Sequence, residues 1–211
     1  MTGVVAGATG LVGRAFVRLA GEADYPLTAV GRRDVEGVAA TIRTDFSAPL
    51  ALPSADVALC ALGTTMATAG SRAAFKAVDH DAVLHFARAA QTAGIRHFIV
   101  ISAVGADARS PVFYSRIKGE TERDLAALGF ARLDILRPGL LLGHREEHRP
   151  GEALFQRLDP ALRRLLVGPL SRYAGIPAST VAAAMLALCS QGRAGSYIHH
   201  NDDLRRLAAT L

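Results

Sequence analysis

Gly3-Val4-Val5-Ala6, a strand-like run, leads straight into Gly7-Ala8-Thr9-Gly10-Leu11-Val12-Gly13, with three glycines at intervals of three. No other feature constrains the fold of this chain as much. Gly7 allows a tight turn off a strand. Gly10 lets backbone approach a ligand closely, and Gly13 lets the next helix pack hard on a sheet. Ala15, Phe16, Leu19 and Ala20 follow at helical spacing, so the triplet sits between a strand and a helix. The start of such a helix presents unpaired N–H groups and the positive end of its dipole, which suits a pyrophosphate. Gly7, Thr9, Gly10, Leu11, Val12 and Gly13 are therefore read as a dinucleotide-binding loop.

The rest of the 211 residues repeats the strand–helix alternation. Patterning predicts strands over 2–6, 27–31, 39–43, 56–61, 97–102, 131–136 and 195–199. It predicts helices over 11–22, 71–94, 112–128, 152–166, 177–191 and 201–209. Phe98-Ile99-Val100-Ile101 is continuously apolar, as a strand covered on both faces must be. The expected fold class is α/β, one domain over 1–211 built on a doubly wound parallel sheet. Between strands 27–31 and 39–43 there is room for little more than a turn. Ligands in such sheets bind beyond the carboxyl ends of the strands, which fall near Gly7, Gly31, Asp45, Ala61–Gly63, Ser102 and Arg137–Gly139.

Beyond the second strand, an NAD site uses a carboxylate to hold the ribose 2′-hydroxyl. Here the chain reads Val30-Gly31-Arg32-Arg33, and two guanidiniums suit a 2′-phosphate instead. NADP(H) is thus the expected cofactor, with NAD(H) as the second choice and Asp34 as an alternative ribose ligand. Asp45 and Phe46 are read either as a contact to the adenine half or as an ordinary strand exit.

Tyr114 and Lys118 stand four apart on a predicted helix, so phenol and ammonium share one face. With four tyrosines and two lysines in the chain, random placement yields about 0.04 such pairs, so the spacing is a signal rather than an accident. All but two of the 24 basic residues are arginine, which makes a lysine here the more pointed choice. Ser102 ends the fifth strand, at the ligand edge. Together these residues suit hydride transfer to or from a carbonyl carbon. Ser102 would hold the oxygen, Tyr114 would move the proton, and the Lys118 charge would favour the phenolate.

With these residues in view, the chain resembles the short-chain dehydrogenase/reductase superfamily. Within it, the resemblance is to the compact atypical branch that includes the Tat-interacting-protein-like oxidoreductases. It spans roughly 3–200 and is carried by residues 7–13, Gly31-Arg32-Arg33, Leu62-Gly63-Thr64-Thr65, Ala69-Gly70-Ser71, Val78-Asp79, Ile101-Ser102, Gly105-Ala106, Tyr114–Glu120 and Leu136-Arg137-Pro138-Gly139. The resemblance implies a single-domain Rossmann-type sheet, NADP binding and a Ser102–Tyr114–Lys118 active site. It also implies that Ala61, Leu62, Gly63 and Thr64 pass beside the cofactor, that Pro138 and Gly139 shape the nicotinamide pocket, and that 137–211 forms a small cap on the substrate side. The chain departs from the larger branch by lacking an asparagine in the Ala61–Gly63 stretch, and Ala103 stands where many relatives have a second serine. Two other readings accompany the oxidoreductase. One is an NADP(H)-binding regulatory or interaction protein with little turnover, and the other is a short epimerase-like or dehydratase-like enzyme.

A small-molecule substrate is the expected partner. The net charge of +5 comes from scattered arginines with no tryptophan and no basic–aromatic stripe, which argues against nucleic acid. No stretch is long and apolar enough to span a membrane, and the N-terminus lacks the pattern of a secretory leader. A cytoplasmic location is expected on that basis. Cys60 and Cys189 read as buried small residues in a reducing compartment. His144-Arg145-Glu146-Glu147-His148 matches a zinc-protease pattern, but Gly143 and Pro150-Gly151 flank it, so it reads as a solvated loop and no metal is expected. His97 reads as structural, while His199 and His200 read as caps or solvent-facing residues. The oligomeric state is open.

Overall fold

The computed structural model describes residues 1–143 and 168–211. The helix expected over 152–166 and the histidine-bearing segment 144–148 lie outside the described residues. Seven strands form one wholly parallel sheet in the order β3-β2-β1-β4-β5-β6-β9. They are β1 (Gly3–Ala6), β2 (Leu27–Gly31), β3 (Ala40–Arg43), β4 (Val57–Cys60), β5 (His97–Ile101), β6 (Arg132–Leu136) and β9 (Gly195–His199). The chain doubles back beside β1, which pairs with both β2 and β4. A crevice opens at such a switch point, beyond the carboxyl ends of the strands. Two two-residue strands, β7 (Leu141–Leu142) and β8 (Ile176–Pro177), make a separate small ladder that patterning did not predict.

The central strands are buried on both faces, and alternate side chains feed two cores. Val5, Leu59, Ile99 and Leu136 pack with Phe16 of α1 (Leu11–Glu22) and Met185 of α6 (Ala178–Cys189) on one face. Val4, Cys60, Phe98 and Ile135 pack with Phe86 of α4 (Val83–Thr92) and Leu125 of α5 (Phe113–Leu128) on the other. The short α7 (Asn201–Ala208) lies against α6. Cys60 and Cys189 fall in opposite cores as free thiols, and burial pushes each up to about 12, so both are unreactive near neutral pH.

The helix expected over 71–94 is one continuous run of three segments, α3 (Arg72–Lys76), a π-helical segment Ala77–Ala82, and α4, and it is preceded by a short helix that patterning did not predict, α2 (Met66–Ala69). Gly70 ends α2 in the left-handed conformation at φ +75°, and Ser71 caps α3 by accepting the Ala74 N–H at 3.1 Å. The π segment widens one turn and frees carbonyls. That of Asp79 accepts the Thr121 hydroxyl from α5 at 2.9 Å. A period count does not see such a widened turn, because the apolar pattern continues through it.

Asp134 of β6 is fully buried on the α6 face. It accepts from Arg132 at 2.6 and 2.9 Å, His97 at 2.8 Å and His199 at 2.7 Å. Burial alone would raise the carboxyl, but hydrogen bonds from His199, His97 and Arg132 outweigh it and hold Asp134 well below the usual range. His199 thus ties the edge strand β9 to β6 rather than capping or facing solvent. His200 begins α7, its backbone N–H donating to Asp203 at 2.9 Å.

Candidate functional site

The turn after β1 shows why glycines stand where they do. Gly7 has φ +83°, and a Cβ there would sit 2.5 Å from the Ala61 carbonyl. A Cβ on Gly13 would lie 2.1 Å from the Gly7 oxygen, so α1 rests directly on the loop. Gly10 differs, because its nearest atom is the Gly7 oxygen at 3.3 Å and its outer side is open. As N-cap of α1 it supplies no side-chain acceptor, and the first turn holds no acidic residue. The leading N–H groups of α1 are therefore available to an anion. Thr9 and Gly10 are exposed, Leu11 is half-buried, and Val12 is buried in the core, so Val12 could offer a ligand only its backbone.

Gly7, Thr9, Arg32, Arg33, Phe46 and Leu62 line a common cleft at the switch point. Both arginines are exposed, and neither has an ion-pair partner among the described residues. Asp34 is not among the residues that line this cleft. It accepts from Arg43 Nε at 2.8 Å and pairs with that guanidinium, which holds its carboxyl below the ordinary value. As an alternative ribose ligand, Asp34 is already engaged. Phe46 adopts φ +66° and forms a wall of the cleft. Asp45 lies outside that lining. Its carboxylate accepts the Ser47 N–H at 2.9 Å and hydroxyl at 2.6 Å, which also lowers it. Of the expected pair, the structure brings only Phe46 to the cleft.

Ala61 leaves β4 with its N–H on the Ala6 oxygen at 2.8 Å, keeping residues 61–64 beside the glycine turn. Below this loop runs α5. Tyr114 is half-buried with its ring against Phe75, centroids 5.5 Å apart. One turn on, Lys118 is buried, and its Nζ lies 2.7 Å from Asp79 Oδ1 in an ion pair. The contact is close, but its angles fall outside hydrogen-bond alignment. Burial pulls the Lys118 ammonium down, while Asp79 and, less strongly, Tyr114 push it up. The net shift is upward, so the lysine stays charged.

Ser102 is where geometry departs from expectation. Its hydroxyl donates to Glu122, a further turn along α5, rather than pointing free into the crevice. Glu122 is buried and is also held by Arg137 at the end of β6, with Nε 3.0 Å from Oε1. Pro138 accepts the Val104 N–H at 3.0 Å, and Gly139 donates to Asn201 at 2.9 Å. Asn201, fully buried, donates in turn to Ala174 at 2.8 Å and Ser171 at 3.1 Å. It thereby joins the β6 exit to the segment before β8.

Asp79, Glu122, Arg137 and Asn201 were not read as site residues from sequence. Glu122 could have been found by extending the Tyr114–Lys118 stripe by another four positions. Asp79 and Asn201 reach the site only through tertiary contacts.

Residues 7–141 match the NAD(P)H-binding family. The protein named FMP52, mitochondrial, from Eremothecium gossypii is 42% identical over 159 residues, which is 72% of this chain and 71% of that one. The rat protein HTATIP2 is 43% identical over 131 residues, covering 62% of this chain and 52% of the rat protein. The human epimerase family protein SDR39U1, solved with NADPH, superposes with a TM-score of 0.68 at 18% identity, over 95% of this chain and 74% of that one. That likeness concerns the fold. The cytoplasmic expectation is corrected by the fungal relative, whose name places it in the mitochondrion. Among the described residues, no helix is long and apolar enough to cross a membrane.

Proposed function

This chain belongs to the NAD(P)H-binding family, and we propose that it is an NADP(H)-dependent oxidoreductase acting on a small carbonyl or hydroxyl compound. The observation that carries the reading is the common face of α5. Tyr114 and Lys118 stand there beneath the Ala61–Thr64 loop, at the edge where the glycine turn opens. The residues present fit a phosphorylated dinucleotide. Gly10 leaves the space that a Cβ would fill, the start of α1 is uncapped, and Arg32 and Arg33, without an ion-pair partner among the described residues, offer their charge to a 2′-phosphate. When bound, the nicotinamide supplies or accepts a hydride.

Tyr114 exchanges a proton with the substrate oxygen, and the Lys118 charge stabilises the phenolate left behind. Ser102 holds that oxygen by rotating its hydroxyl off Glu122. The rotation gives up one hydrogen bond to a carboxylate, worth about 1.5–3 kcal/mol, while Arg137 still holds that carboxylate. Residues 137–143 and 168–177, joined through Asn201, border the substrate side. The location we carry over from the fungal relative is the mitochondrion.

The test is NADPH consumption against a panel of aldehydes and ketones, with Tyr114→Phe as control. Turnover should fall by about 10²–10⁴-fold while NADPH still binds. A full rate in that variant removes Tyr114 from proton transfer. NADPH binding with no turnover across the panel favours the regulatory reading.

A further inference from the structure

Lys118 is 6% exposed, and burial favours the neutral amine of a lysine unless a counter-charge opposes it. Three titratable groups act on it: Asp79 from the π segment, Tyr114 one turn earlier on its own helix, and the Cys60 thiol of β4. Asp79 is the nearest charge, with its Oδ1 2.7 Å from Nζ and its side chain fully buried. The other oxygen, Oδ2, accepts the Thr64 N–H at 2.8 Å. Gly63 covers the pair, since a Cβ there would stand 3.4 Å from Asp79 Oδ1 and 3.7 Å from Lys118 Nζ. The π segment that carries Asp79 is a costly local geometry of a kind that recurs at functional sites. Here it is braced by the Thr121 hydroxyl on the Asp79 carbonyl.

We propose that Asp79 is a positioning residue of this site, whose carboxylate keeps the buried Lys118 an ammonium and ties that charge to Thr64 on the Ala61–Thr64 loop. The proposal rests on the Tyr114–Lys118 reading and deepens it. Without Asp79, Lys118 would reach the phenol as an amine and lose its electrostatic role. With it, the ammonium persists across the neutral range, and the loop above is fixed relative to the charge.

Asp79→Asn tests this cleanly. The amide keeps the shape and an acceptor for Thr64 but removes the charge. The chain has two lysines, Lys76 and Lys118, so protein labelled with ¹³Cε-lysine gives two side-chain signals, assigned with Lys76→Arg. In the native protein, the Lys118 signal should hold its ammonium position to a higher pH than an ordinary lysine. In Asp79→Asn it should titrate clearly lower, because the largest charge opposing burial is gone. Identical titrations in the two proteins would overturn the proposal. If the variant fails to fold, the native curve decides alone, and a Lys118 midpoint at or below that of an ordinary lysine overturns it. This readout needs neither cofactor nor substrate, so it stands or falls separately from the turnover of Tyr114→Phe.

Discussion

Gly13→Ala and Gly10→Ala differ by one methyl group each, and the structure assigns them different failures. At Gly13 the new carbon would lie 2.1 Å from the Gly7 oxygen and 2.8 Å from the Ala8 Cα. Both are backbone atoms of the turn, so relief requires α1 to lift from the sheet. Overpacking typically costs about 1–3 kcal/mol, and three backbone contacts inside 3.0 Å place this change near 3. For a domain of this size, that lowers Tm by about 6–12 °C. At Gly10 the new carbon meets only the Gly7 oxygen at 3.3 Å, and φ of −75° suits alanine. The stability cost should stay below about 1 kcal/mol, mostly from a poorer N-cap. The methyl instead enters the space left for a phosphate. Losing one charge-assisted hydrogen bond, about 1.5–3 kcal/mol, weakens NADPH about 10- to 150-fold. Thermal unfolding and NADPH fluorescence titration read the two effects separately. The reasoning fails if Gly13→Ala melts within about 2 °C of native, or if Gly10→Ala binds NADPH at native strength.

Two further outcomes test the charges. Arg32→Asp with Arg33→Asp should change stability by less than about 0.5 kcal/mol, since both side chains are exposed, and should weaken NADPH far more than NADH. Equal losses for the two cofactors remove the 2′-phosphate assignment. Asp134 bears on acid stability, because its folded carboxyl lies below the ordinary 3.8. The unfolded chain therefore binds more protons in that interval, and the contribution is full above 3.8 and lost as pH falls toward the folded value. Asp134→Asn should cost about 3–5 kcal/mol at pH 7 and flatten the acid limb of a urea-stability profile, whereas parallel limbs would deny Asp134 that role.

Much of the architecture was legible in the residues. Continuous apolar strands and a 3.6-residue helix period placed two sheet strands at their bounds and the other five within one residue at either end, because each element's burial is written into its own periodicity. The π turn inside the 71–94 helix was not legible, because it leaves the apolar pattern intact and is stabilised by Thr121 from another helix. The site divided in the same way. The glycine turn, Arg32 and Arg33, and the Tyr114–Lys118 pair are local patterns and could be read directly. Asp34 and Asp45 looked available in the chain, yet Arg43 and Ser47 occupy them.

What the sequence by itself determined was the parallel sheet, the dinucleotide turn and the helix face that carries phenol and ammonium, all set by spacing within a few residues. What only the tertiary structure decided was how those groups are held. Lys118 is paired with Asp79, Ser102 donates to Glu122, and Arg137 grips that same carboxylate. These partners come from different elements, 15 to 39 positions apart in the chain. A buried charge must find its counter-charge in space, and sequence separation carries no record of which one it finds.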